Sequence, residues 1–166
     1  MIAYKFLEEG LVAPYTRFRW PQDEWVEAAQ LARCRRGVHA CRVRDLPYWL
    51  GPDLWEIELG GDVLAQERKV VASRGRLVRR IEDWTPTLLD TFASDLQRRT
   101  RLRFGSVAFL SGYVDDIQRF RTQRRYGLAA FAAARAAELS GGPAAYERER
   151  ARQAEWLAER LGLGSR

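Results

Sequence analysis

The only histidine of the chain, His39, lies in CRRGVHAC (Cys34 to Cys41), directly ahead of DLPYWL (Asp45 to Leu50) and WEIEL (Trp55 to Leu59). This stretch gathers the sole imidazole, both cysteines, two of the six tryptophans and two glutamates two positions apart. An imidazole exchanges protons near neutral pH, a thiolate attacks carbon, and paired carboxylates divide acid and base roles when their surroundings separate them. On a strand over Val38 to Val43, His39, Cys41 and Val43 share one face and Val38, Ala40 and Arg42 the other. His39 and Cys41 are then about 7 Å apart, near neighbours but beyond a direct nucleophile–base hydrogen bond. Two readings of His39 stay open: it lines a pocket, or it donates an N–H to a backbone carbonyl and packs. Glu56 and Glu58 likewise are either acid/base, ribose- or cation-binding groups or a solvated strand face. Tyr48-Trp49 and the run RFRW (Arg17 to Trp20) offer rings to stack a base or nicotinamide and guanidinium groups for phosphates, or anchor the core.

Other chemistries lack their residues. There is no phosphate loop, no G-x-G-x-x-G, no G-x-S-x-G elbow and no H-E-x-x-H. Structural zinc wants about four Cys, His or carboxylate ligands, and C-x4-H-x-C supplies three in an unusual order, so no metal is expected. Cys34 and Cys41 read as free thiols more readily than as a bridge in a reducing compartment.

The elements that must position these residues change character midway. To about Trp84 the chain is β-rich: Ala3 to Leu7, Val38 to Val43, then Trp55, Ile57 and Leu59 alternating with Glu56 and Glu58. Gly60-Gly61-Asp62 reads as a turn, with two or three further strands in Val63, Val70 to Ala72 and Leu77 to Ile81. Asp45 to Leu50 reads as a short helical turn with Asp45 as N-cap and Pro47 in the first turn. From residue 85 the chain is helical. Thr85-Pro86 starts a helix with Leu88, Leu89, Phe92 and Leu96 at helical spacing. A second covers Val107 to Thr122 with Phe109, Leu110, Tyr113, Ile117 and Phe120 inward, a third the alanine-rich Leu128 to Leu139, and a last Pro143 to Leu161, where Trp156 is an anchor. The expected fold is α+β, a small mixed or antiparallel sheet followed by about four helices, with residues 1–166 as one cooperative domain.

At 166 residues and 46% hydrophobic content the chain can build a real core. No apolar run reaches the roughly 20 residues needed to span a bilayer, and the N-terminus lacks a signal-peptide pattern, so no membrane association and a cytoplasmic location are expected. The net charge of +6 points to an anionic partner. Only Lys5 and Lys69 are lysines, so the charge is nearly all arginine, which with abundant alanine looks like GC-rich coding bias. The excess lies mainly after Asp83, with 14 basic against 9 acidic residues. Arg119, Arg121, Arg124 and Arg125 are the expected contacts to nucleic acid or an acidic protein, together with Gln97 to Arg103, although cations also complement a helix end.

The order AYKFL, CRRGVHACR, DLPYWL, LWEIELGG and ERKVVASRGRLVRR resembles a family of small uncharacterised bacterial and phage-associated proteins built around Gly-x-His-Ala-Cys, over residues 1 to 83. An actinobacterial branch shares the tail QAEWLAERLGL. The chain also resembles ADP-ribosyltransferase-like domains, which implies an NAD or nucleotide cleft around His39, with NAD as a substrate and no tightly bound cofactor. In that correspondence Tyr4 and Lys5 form the first element and Lys5 and His39 hold the ribose and nicotinamide. Tyr48 or Trp49 stacks, and Glu56 or Glu58 orients the acceptor, with Glu67 as a rival. Departures are Lys5 for the family's His or Arg, and Cys41 for its Ser or Thr. The competing expectations are ADP-ribosyl transfer or N-glycosidic cleavage, an aromatic-metabolite enzyme, and a non-catalytic module whose basic half binds an anionic macromolecule.

Overall fold

The computed structural model describes residues 1–28 and 37–164. Two compact units divide the chain, Met1–Glu82 and Asp83–Arg166, where the sequence favours one cooperative domain. The architecture is α+β, as its composition in elements implied: an antiparallel sheet of five strands among the described residues, then four helices.

The sheet comprises β1 (Ile2–Leu7), β2 (Val26–Glu27), β3 (Val38–Ala40), β4 (Asp53–Ala65) and β5 (Val70–Arg80). Its spine is the β4–β5 hairpin, and β1 adds to β4 in the register Tyr4 opposite Glu56 and Lys5 opposite Trp55. β2 and β3 both pair with β5, at residues 74–75 and 70–72. The sheet then returns on itself. Cys41, one residue beyond β3, exchanges two backbone hydrogen bonds with Tyr4, at 2.7 and 2.8 Å. β1, β4, β5 and β3 therefore form a ring whose inner face carries Ala3, Leu7, Val38, Ala40, Trp55, Ile57, Leu59, Val70, Ala72 and Leu77. Full burial of a side chain such as Ile57 or Leu77 stabilises by roughly 1.5–3 kcal/mol. The ring is tight enough that small residues are needed inside it: a Cβ on Gly75 would come within 2.7 Å of Val38.

Several local expectations change. Gly60-Gly61-Asp62 is no turn but a bulge inside β4, where the register slips between Gly60/Arg74 and Val63/Ala72. The Asp62 N–H donates to Ser73 Oγ at 3.0 Å, so the side chain supplies what the ladder loses. The hairpin turn lies at Gln66 to Lys69, where the Gln66 N–H donates to the Lys69 carbonyl, and the strand pieces expected after Val63 merge into β4 and β5. The short helical turn is a 3-10 helix over Val43–Tyr48, with Arg42 rather than Asp45 at its N-cap. Asp45 sits three residues on, buried, and accepts from the Arg42 backbone N–H at 3.1 Å and from Arg42 Nε at 2.5 Å. Arg42 Nη2 also donates to the carbonyls of Gln66 and Glu67, which ties this helix to the hairpin turn.

The helical unit comprises α1 (Pro86–Phe104), α2 (Ala108–Thr122), α3 (Tyr126–Gly141) and α4 (Pro143–Leu161). Thr85 caps α1 by accepting from the Leu88 N–H at 3.1 Å, and Pro86 takes the first turn, where its missing N–H costs nothing. α3 buries seven alanines, whose small side chains let its three neighbours approach. The inward face of α2 is Leu110, Val114 and Ile117, and Phe109 is exposed instead of buried. Trp156 packs against Phe92 with ring centroids 5.3 Å apart.

Gly61 has φ +69, and a Cβ there would lie 1.9 Å from Ser73 Oγ. Gly61→Ala is expected to cost about 1–3 kcal/mol in urea unfolding. An unchanged midpoint would show that the bulge does not constrain the hairpin.

Candidate functional site

The ring brings β1 and β3 together, and beside their junction lies a cavity of about 940 Å³. Its wall includes Tyr4 and Lys5 from β1, His39 from β3, Phe18 and Trp20 from the loop that follows β1, and Trp49. Four of the seven residues singled out by sequence, Tyr4, Lys5, His39 and Trp49, therefore share one concave surface.

Lys5 shares a strand face with Ala3 and Leu7 and so turns toward the apolar interior of the ring. Its ammonium donates to the His39 backbone carbonyl at 2.7 Å and sits 4.8 Å from the centre of the Trp20 ring. No carboxylate pairs with it among the described residues. Burial lowers its pKa to about 8, with the neighbouring Cys41 side chain acting in the opposite direction. The Trp20 face favours the cation, but an interaction worth roughly 0.5–2 kcal/mol does not restore the hydration that a lysine keeps at the surface.

His39 is half-buried, and its ring is on the face opposite the core residues Val38 and Ala40. Burial first, then the positive charges of Lys69 and Lys5, hold its pKa below 6.5. The imidazole has no hydrogen-bond partner among the described residues, so the packed histidine that donates to a carbonyl is not what the fold contains. A neutral, partly exposed imidazole can accept a proton or a hydrogen bond from a ligand.

Cys41 lies two positions beyond His39, but its surroundings differ. The buried thiol donates to the Tyr4 carbonyl at 3.3 Å, and burial, with Asp45 nearby, pushes its pKa up to about 12. A thiol held protonated is no nucleophile at neutral pH, which leaves Cys41 a structural residue. Cys34 lies outside the described residues.

The remaining candidates are placed elsewhere. Glu56 and Glu58 project from the outer face of β4, outside the cavity wall. Two bonds from Arg79, at 2.9 and 3.1 Å, hold Glu56, and one from Arg76, at 2.7 Å, holds Glu58. Tyr48 is also outside the wall, with the Arg68 guanidinium 4.4 Å from its ring centre. Trp49 stays in the wall and donates its indole N–H to the Arg68 carbonyl at 2.7 Å. Glu67 is exposed in the hairpin turn. Among the described residues, no three His, Cys, Asp or Glu side chains are grouped to hold a metal ion. The wall adds Glu8, paired with Arg17, and Glu27 and Lys69, none of which sequence spacing marked. A lysine placed between Ala3 and Leu7 was a signal available in the sequence, since a cation on an apolar strand face needs a reason.

In the helical unit, Arg121 pairs bidentately with Asp90 at 2.7 and 2.8 Å and Arg119 pairs with Asp116 at 2.7 Å. Arg124 and Arg125 make no ion pair among the described residues. No helix of the described residues is long and apolar enough to cross a membrane.

These shifts set a pH dependence of stability. Below pH 6.5 the unfolded chain protonates His39 before the folded one does, so stability falls as the pH drops. Between about pH 8 and 10.5 the unfolded chain holds the Lys5 proton more tightly, so stability rises with pH. Above about pH 9 the unfolded chain loses the Cys41 proton first, which opposes that rise. Urea midpoints should therefore climb from pH 8 to 9, and Lys5→Met should flatten the climb. A wild-type midpoint that is level over that interval would contradict the burial of the amine.

Comparison with curated proteins gives no match, and neither does comparison with solved structures. A family model does match, over residues 1–87, a stretch that contains the whole cavity wall. The chain belongs to that family, described as a domain of unknown function (DUF7666).

Proposed function

We propose that the β-rich unit binds a nucleotide-class small molecule, a flat aromatic ring joined to an anionic group, in the cavity between β1 and β3. The observation that carries this reading is that, among the described residues, a half-buried Lys5 with no carboxylate partner and a half-buried His39 with no side-chain hydrogen bond line one cavity of about 940 Å³ together with Phe18, Trp20 and Trp49. That size suits a drug- or nucleotide-sized ligand, and pockets of this kind combine apolar walls with a few placed polar groups. The amine attracts an anion, the rings stack a base, and the imidazole accepts a hydrogen bond.

NAD is the probe that contains every recognised part. If the site also breaks the N-glycosidic bond or transfers ADP-ribose, the available base is His39. Glu56 and Glu58 are neutralised by arginines outside the wall, so they are not its acid/base pair. NAD or its mononucleotide halves should raise Tm saturably, and Trp20→Ala should weaken binding about tenfold or more, since losing one stacked ring costs roughly 1–3 kcal/mol. A Tm unmoved by millimolar NAD and both halves would overturn the proposal. Release of nicotinamide that disappears in His39→Ala would make the site enzymatic.

A second reading rests on Arg124 and Arg125, which make no ion pair among the described residues where Arg119 and Arg121 do. In that reading the helical unit contacts an anionic macromolecule. Binding to a nucleic-acid duplex should fall steeply with salt, and the slope should diminish in Arg124→Ala/Arg125→Ala. A slope identical in wild type and variant would remove it.

A further inference from the structure

Lys5 is one of only two lysines in the chain, and its position asks for more than anion attraction. Its side chain lies on the apolar face between Ala3 and Leu7, lines the cavity and has no carboxylate partner among the described residues. The one hydrogen bond of Nζ goes to a backbone carbonyl, that of His39, at 2.7 Å, and the Trp20 ring sits beside it. A neutral amine has two N–H bonds and a lone pair, so donating one N–H to His39 leaves the lone pair free to meet a ligand. We infer that Lys5 is a carbonyl-condensing residue, whose Nζ forms an imine with an aldehyde or ketone carried by an aromatic ligand in this cavity.

The inference rests on the reading of the cavity as an aromatic-ligand site and adds a class of reaction to it. In the step, the Nζ lone pair bonds to the carbonyl carbon, the carbonyl π bond opens, and one amine proton passes to the oxygen. The carbinolamine then forms the C=N bond as hydroxide leaves with the second amine proton, so that one water is released and no oxidant or reductant is consumed. Desolvation is the means by which a lysine is activated for this chemistry, and it brings the pKa of Lys5 to about 8. At pH 7 roughly two orders of magnitude more of the amine is then neutral than for a lysine at 10.5. The other titratable groups around the cavity among the described residues are Tyr4 on β1, Glu8 and Tyr15 after it, His39 and Cys41 on the β3 side, Glu27 on β2 and Lys69 in the hairpin turn. Cys41 stays protonated through this range.

The test is reductive trapping of the full chain with benzaldehyde and sodium cyanoborohydride, followed by peptide mass mapping of Lys5, Lys69 and the Met1 α-amine. Lys5 should be labelled at least about tenfold faster than Lys69 at pH 7, with a rate that levels off above about pH 8. Millimolar benzoate should slow it, and the preference should vanish in urea. Labelling of Lys69 as fast as Lys5, or a preference over Lys69 that survives unfolding, would overturn the inference. NAD binding without preferred labelling would remove the imine chemistry and keep the nucleotide site. Preferred labelling without NAD binding would do the reverse.

Discussion

Two backbone hydrogen bonds between Tyr4 and Cys41 decide what the β-rich unit can be. In an open sheet β1 and β3 would be at opposite sides of the β4–β5 hairpin, and Lys5 and His39 would face unrelated surroundings. The bridge closes the ring, sets the Lys5 ammonium against the His39 carbonyl, and places both on the cavity. Pairing of β3 with β5 sets Val38 within 2.7 Å of where a β-carbon at position 75 would stand, and Ala3, Ala40 and Ala72 line the inner face with small side chains. The thiol of Cys41 is part of the same joint, bonded to the Tyr4 carbonyl rather than offered to a substrate.

The charges of the unit fall into two populations separated by this closure. On the outer face of the hairpin, arginines and carboxylates neutralise each other across strands, as Arg79 does Glu56 and Arg76 does Glu58. The exposed Arg76–Glu58 pair contributes little to stability, about 0–1 kcal/mol, while Glu56 is buried and held by two bonds from Arg79. On the cavity side Lys5 has no such partner among the described residues, and burial without compensation is what alters a group's proton affinity. A site is therefore marked by the missing counter-ion as much as by the residue itself.

Much of the architecture was legible because it depends on local periodicity. The alternation of Trp55, Ile57 and Leu59 with two glutamates gave both the strand and its buried face, and Thr85-Pro86 gave the start of α1 to the residue. The strand expected over Val38 to Val43 holds as Val38–Ala40, with Cys41 bridged to Tyr4 and Val43 already in the 3-10 helix, because Asp45 caps the chain back onto Arg42. Two failures have a common cause. Gly60-Gly61-Asp62 has the composition of a turn, yet Ser73 across the ladder lets the strand pass through it as a bulge. Phe109 fits a helical stripe, yet the packing of α2 selects the face with Leu110, Val114 and Ile117. In each case the deciding partner lies on another element.

His39 illustrates the division most directly. The sequence by itself determined that the chain is α+β, that its sole imidazole falls on a strand two positions from Cys41, and that serine-hydrolase, zincin and phosphate-loop chemistries lack their residues. Those conclusions follow from residue type and from interactions within a few positions of the chain. Only the tertiary structure decided that the His39 ring has no hydrogen-bond partner among the described residues, that Cys41 is inert, that Lys5 is the neighbour of His39 across 34 positions, and that both glutamates are already occupied. These are matters of burial and long-range pairing, and the free energy of a charge depends on what surrounds it in space, which spacing along a chain does not encode.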